Sequence, residues 1–153
     1  MSEDRAIFST VLEFFQEDDW PIEVDSEKTS IRTSFRGEHG QWNCFAKVGE
    51  KQQQFVFYSS FPVLVPVEKR LAVSEFLTRA NYGLILGNFE MDFEDGQVNF
   101  KTSLDAEGQS FNTMAVGRLV YTNVLMMQQF FQGLMAVLYS NQTPAEAVAS
   151  VEK

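Results

Sequence analysis

The chain has 153 residues, 44% of them hydrophobic with fifteen phenylalanines, which supplies one good core, and its 12 Lys and Arg against 21 Asp and Glu give a formal charge of −9. Polyanions are held by clustered Lys and Arg that release counterions, so this balance argues against a nucleic-acid role. A single cysteine, Cys44, excludes an intrachain disulfide, and a single histidine, His39, leaves no His and Cys set for zinc.

Met1 leads directly into the acidic, cap-like Ser2-Glu3-Asp4, without a basic start and apolar signal stretch, which points to a cytoplasmic chain. Ile7, Val11, Phe14 and Phe15, widened by Phe8 and Leu12, predict an amphipathic helix to about Asp18, stopped by Trp20-Pro21. Ile22 and Val24 suggest a short strand, and Ile31, Thr33 and Phe35 a second. Gly37-Glu38-His39-Gly40 reads as a hairpin loop, with His39 a solvated turn residue rather than a catalytic one. In a third strand Trp42, Cys44, Ala46 and Val48 alternate with Gln41, Asn43, Phe45 and Lys47. Cys44 is then a small core residue and a poor nucleophile, because a reactive thiol needs an open, electropositive setting. Gln54 to Phe61 is a fourth strand whose two faces both carry aromatics: Phe55, Phe57 and Phe61 on one, Val56 and Tyr58 on the other. Part of this sheet is therefore expected to meet something besides its own core.

Pro66 suits a helix start, and Ala72, Val73, Phe76, Leu77 and Ala80 mark one buried face of a middle helix running to about Tyr82. Gly83 is expected to end it in the left-handed conformation, with Leu84-Ile85-Leu86 leading into the next strand. From Asn88 the chain alternates, with Phe89, Met91 and Phe93 on one face and Glu90, Asp92 and Glu94 on the other, and resumes after Asp95-Gly96. Asp-Gly predicts a two-residue type I′ turn pairing Glu94 with Gln97, Phe93 with Val98, Met91 with Phe100, Phe89 with Thr102 and Glu90 with Lys101. The carboxylates Glu90, Asp92, Glu94 and Asp95 lie along a strand face without a calcium-loop pattern. Gly83 to Gly87 lacks the lysine and following helix of a phosphate loop.

The run Phe76 to Lys101, with FL.RAN..L.LGNFEMDFEDGQVNFK as its carrying positions, resembles the core of the bacterial YbjN-domain family, whose fold is similar to that of type III secretion chaperones. The resemblance covers nearly the whole chain, through the order of an N-terminal helix, strands, this helix and hairpin, and a long C-terminal helix. Its motifs are structural, so it implies architecture, with regulatory or stress roles suggested for the family and no enzymatic reaction.

From about Met114 to Tyr139 a long apolar segment follows, but Arg118, Thr122, Gln129 and Gln132 form one polar stripe, which marks an amphipathic helix rather than a membrane span. Its apolar arc is wide. A small sheet covers only one side, so a partner is expected over Leu119, Met126, Met127, Phe130, Phe131 and Leu134; the alternative is that the N-terminal helix covers the second side as monomer core. Thr143-Pro144-Ala145-Glu146 is a capping box opening a short docked or fraying tail helix.

Together these readings give one α+β domain over 1–153, a central antiparallel sheet with an N-terminal, a middle and a long C-terminal helix. The expected function is a non-enzymatic, homodimeric protein-binding module, chaperone- or adaptor-like, with no cofactor and no metal. The alternative is a regulatory domain sensing a small molecule between the sheet and the long helix.

Overall fold

The computed structural model describes residues 5–152; the cap-like Ser2-Glu3-Asp4 lies outside them. Four helices and six strands follow in the order α1 (Ala6–Glu17), β1 (Glu23–Asp25), β2 (Ser30–Arg36), β3 (Gln41–Gly49), β4 (Gln54–Ser60), α2 (Arg70–Tyr82), β5 (Asn88–Met91), β6 (Val98–Asp105), α3 (Thr113–Tyr139) and α4 (Pro144–Val151). The strands form one antiparallel sheet in the order β1-β2-β3-β4-β6-β5. No helix among the described residues is long and apolar enough to cross a membrane.

Alternation decides the faces of the sheet. Trp42, Cys44, Ala46 and Val48 on β3 and Phe55 and Phe57 on β4 are buried as their period of two requires. Helix α3 lies across this inner face, and Asn123, fully buried in its middle, donates from Nδ2 to the carbonyls of Phe57 (2.8 Å) and Phe100 (3.0 Å). One side chain thus ties α3 to β4 and β6 together. Helix α1 packs beside α3, with Phe15 stacked on Phe57 at 5.9 Å. Its amino end is satisfied from a distance: Glu50, in the β3–β4 loop, accepts from the N–H of Phe8 at 2.6 Å and of Ile7 at 3.4 Å. A carboxylate suits those unpaired donors and the positive end of the helix dipole.

The other flank of α3 is closed by α2 and then α4. Gly133 makes this possible, since a Cβ there would lie 2.7 Å from the Phe76 ring and 3.1 Å from Val151. α4 carries the expected capping box in both arms, with Thr143 accepting from Glu146 N–H and Glu146 from Thr143 N–H. It is docked through Ala147 and Val148, and Gln129 donates to the Val151 carbonyl at 3.1 Å.

Three local expectations are corrected. Gly83 ends α2 in right-handed geometry (φ −92), and the left-handed glycine is Gly87 (φ +78), beyond the exposed Ile85 and Leu86. The β5–β6 register is displaced by two residues, so that Phe89 faces Phe100 and Met91 faces Val98, and the strand ends before Asp92. The two-residue type I′ turn gives way to a longer connection in which Gly96 N–H donates to the Asp92 carbonyl (2.7 Å) and Asp92 N–H to that of Gln97 (3.0 Å). A tertiary contact outweighs local turn preference here. Gly96 (φ +83) accepts from Val65 N–H at 2.9 Å, and a Cβ on it would lie 2.2 Å from the Val65 oxygen. Arg70 then bonds the carbonyls of Val65 (2.9 Å) and Phe93 (2.7 Å), fastening this turn to the start of α2. A slip of two keeps each side chain on its face, so Phe89 and Phe100 stay buried, but Phe93 leaves the strand and is 53% exposed.

Candidate functional site

The residues expected to meet a partner on α3 fall into two groups. Met127, Phe130, Phe131 and Leu134 are buried, with Phe130 edge-on to Phe76 and Phe89 and Phe131 against Trp42 and Phe61. They are core positions of this chain, because α2 and α4 cover the flank that the sheet and α1 leave open. Leu119 and Met126 sit partly buried at the border of that core. What α3 presents outward is a different stripe, with Met114, Tyr121, Leu125 and Tyr139 exposed.

Between sheet and α3, Phe57, Phe100, Val124, Met127 and Phe130 are each at most 1% exposed. Side chains fill the space that a small-molecule sensor would use.

Among the described residues, the titratable groups that the sequence singled out do not converge on one centre. His39 is exposed, its Nδ1 3.1 Å from Gln132 Nε2 and its Nε2 3.8 Å from Glu38. Cys44 is buried beside Ser59, and burial pushes its thiol up to about 12. Glu90 pairs with Lys101 at 2.9 Å; this bond raises the Lys101 pKa, and it forms diagonally because Glu90 faces Asn99. Asp92, Glu94 and Asp95, expected on a strand face, stand in the turn instead: Asp92 accepts from Glu94 N–H and Asp95 from Gln97 N–H, both at 2.8 Å. Among the described residues no three His, Cys, Asp or Glu side chains converge as metal ligands would.

The outer face of the sheet is where the structure leaves surface to use. The helices gather on the inner face, and among the described residues no helix lies over the other. On that bare face the strand pairings set Arg32, Phe45, Tyr58 and Lys101 in one row across β2, β3, β4 and β6, and Lys47, Val56 and Ser103 in the next. Phe45, Val56 and Tyr58 are all partly exposed. Lys101 Nζ stands 5.7 Å from the Tyr58 ring centroid. An open groove of about 580 Å³ runs beside Phe45 between Ile22 and Asn43, and a second of about 390 Å³ runs beside Val56 between Lys47 and Ser103.

Sequence alternation placed Phe45, Val56 and Tyr58 on this side, but it did not single out Arg32 and Lys101 as their neighbours. Their signal was strand parity, readable only once the pairing order was known. The sheet edge is not equally available. Asn81 of α2 donates to the Phe89 carbonyl (3.0 Å) and accepts from the Phe89 N–H (2.7 Å), occupying the outward backbone groups of β5.

A family model described as "Putative bacterial sensory transduction regulator", YbjN, matches residues 8–135. The chain belongs to the YbjN family. The matched segment runs from α1 into α3, and α4 lies beyond it. Among curated proteins none matches the sequence. Among solved structures the chain is similar to one from the ExsC–ExsE complex (13% identity, TM-score 0.51, covering 84% of this chain and 96% of that one). It is also similar to a chain of the HopA1–SchA chaperone–effector complex (10% identity, TM-score 0.52, covering 84% and 94%). At such identities the likeness shows a shared α+β fold, the one expected for type III secretion chaperones.

Proposed function

We propose that this YbjN-family chain is a non-enzymatic protein-binding module, an adaptor or chaperone in a regulatory relay, working in the cytoplasm as a homodimer. The observation that carries the reading is the bare sheet face, where Phe45 and Val56 each line an open groove and Tyr58 lies partly exposed between them, with no helix over them among the described residues. A flat, aromatic-bearing surface suits a polypeptide, whereas small ligands favour enclosed concave sites. The structural relatives include a chaperone–effector complex, and the family description is regulatory; both support this direction. Self-association would use the outward stripe of α3, where Tyr121 and Leu125 are exposed and Leu119 and Met126 form the border.

The test is capture on the immobilised protein from lysate of its native host, compared between the natural chain and a Phe45→Ser/Tyr58→Ser variant of equal thermal stability. The reading expects a defined polypeptide retained by the first and lost by the second. Equal retention by both would remove the sheet face from the account. Sedimentation equilibrium of Leu125→Glu tests the dimer, with a shift to monomer expected and an unchanged mass counting against that surface.

A further inference from the structure

Resting on the homodimer reading, we infer that the two copies exchange α4, so that this helix of one chain seats in the groove between α2 and α3 of the other. α4 is lightly held. An eight-residue helix is too short to persist alone in water, so it owes its form to what it docks on. Of its residues Ala147 and Val148 are buried, and among the described residues one hydrogen bond, from Gln129 to the Val151 carbonyl, ties its backbone to another helix. The seat is firmer. Phe76 of α2 and Gly133 of α3 are buried, and the missing side chain of Gly133 lets Val151 approach to where a Cβ would lie 3.1 Å from it. Phe76, Gln129 and Gly133 all fall inside the span matched by the family model, residues 8–135, and α4 falls outside it.

A second copy carries the same helix, so exchange keeps every contact of the seat and asks for no new chemistry in the groove. What changes is the connection. α3 ends at Tyr139 and α4 starts at Pro144, and Val151 lies beside Gln129 and Gly133, so the chain turns back along α3 within the four residues Ser140 to Thr143. To do so Asn141 adopts φ +56, the left-handed region that disfavours a residue with a side chain. Thr143 is already extended (φ −69, ψ 155), as a residue before proline prefers. An opened connection returns Asn141 to extended backbone and leaves Thr143 as it is. Short hinges under strain favour exchange for this reason. The exposed stripe of α3 also runs to Tyr139, so the surface proposed for self-association reaches the hinge.

The experiment mixes two variants of the full chain, Gly83→Cys and Glu152→Cys, refolds them together, separates dimer from monomer by size and adds a short bis-maleimide. A Cβ at Gly83 lies 2.8 Å from Glu152 Oε2, so the two thiols meet wherever α4 is seated. Cys44 does not compete, being buried with its thiol pushed up to about 12. Exchange predicts covalent pairs in the mixed dimer and none in either variant alone. A mixed dimer that stays unlinked, while the double variant links within one chain, would overturn exchange and leave the homodimer reading in place. A chain that stays monomeric up to about 100 μM would remove the homodimer reading and exchange with it. Asn141→Gly, which takes φ +56 without steric cost, should shift the equilibrium about tenfold towards monomer. An equal equilibrium in both chains would overturn hinge relief as the cause of exchange.

Discussion

Phe57 and Tyr58 are neighbours on β4, yet Phe57 has no exposed surface, stacked on Phe15 and crossed by Trp20, while Tyr58 lies partly open beside Lys101. The same division runs through β3, where Cys44 is sealed in and Phe45 borders a groove. The inner face carries most of the sheet's aromatics, Phe35, Trp42, Phe55, Phe57, Phe89 and Phe100 against Phe45 and Tyr58 outside, and it is also the face that is covered. Three helices exclude water from one side, while on the other Phe45 and Tyr58 stand among charged side chains of both signs, Arg32 and Lys101 with Glu23 and Glu90. The inner face is therefore read as stability and the outer as recognition.

The largest separation should come from paired truncations. Phe57→Ala, which leaves a cavity in close-packed core, is expected to cost about 3–5 kcal/mol in urea unfolding, against less than about 1 kcal/mol for Phe45→Ala. Comparable losses would mean that the outer face is also structural. Next is the register that assigns β5 and β6 to their faces. Gly96→Ala forces a Cβ onto Val65 at positive φ, and a loss of about 2 kcal/mol or more is expected. A neutral result would favour the short type I′ turn. Asn81→Ala uncovers the outward groups of Phe89 on the edge strand and should cost about 1–2 kcal/mol, with faster exchange at the Phe89 amide. Unchanged exchange would show that Asn81 does not guard this edge.

The smallest effect concerns two consecutive positions on opposite faces. Asn43→Cys should label rapidly with a thiol reagent near neutral pH, while Cys44 in the same protein does not. Because burial raises the Cys44 pKa in the folded state from 9.0 to about 12, the unfolded thiol ionises first. The stabilisation is fully present below about pH 9 and is lost as pH rises toward about 12, so urea midpoints should fall over that window. Replacing Cys44 with Ala should flatten the fall. An identical decline in the variant would assign it to other groups.

Much of the division was legible before any pairing was known. Period-two patterns on Trp42 to Val48 and Phe55 to Phe61 carry their own face assignments, and the capping box at Thr143 is a local signal with a local result. The course of the β5–β6 turn and the cover over α3 share a cause. The β5–β6 turn obeys Val65 and Arg70, some 20 to 30 residues away in sequence, and the wide arc of α3 is covered by α2 and α4, whose docking depends on the close approach at Gly133. Non-local contacts of this kind leave no periodic trace. The candidate site was half visible: aromatics on both sides of β4 announced a second working face, but the charged side chains around it come from strands that only the fold brings together.

The most direct test is hydroxyl-radical footprinting of the natural chain with and without its captured protein partner. The account predicts that Phe45 and Tyr58 become protected while the exposed Tyr82, Ile85 and Leu86 keep their reactivity. Protection of Ile85 and Leu86 with Phe45 and Tyr58 unchanged would contradict it.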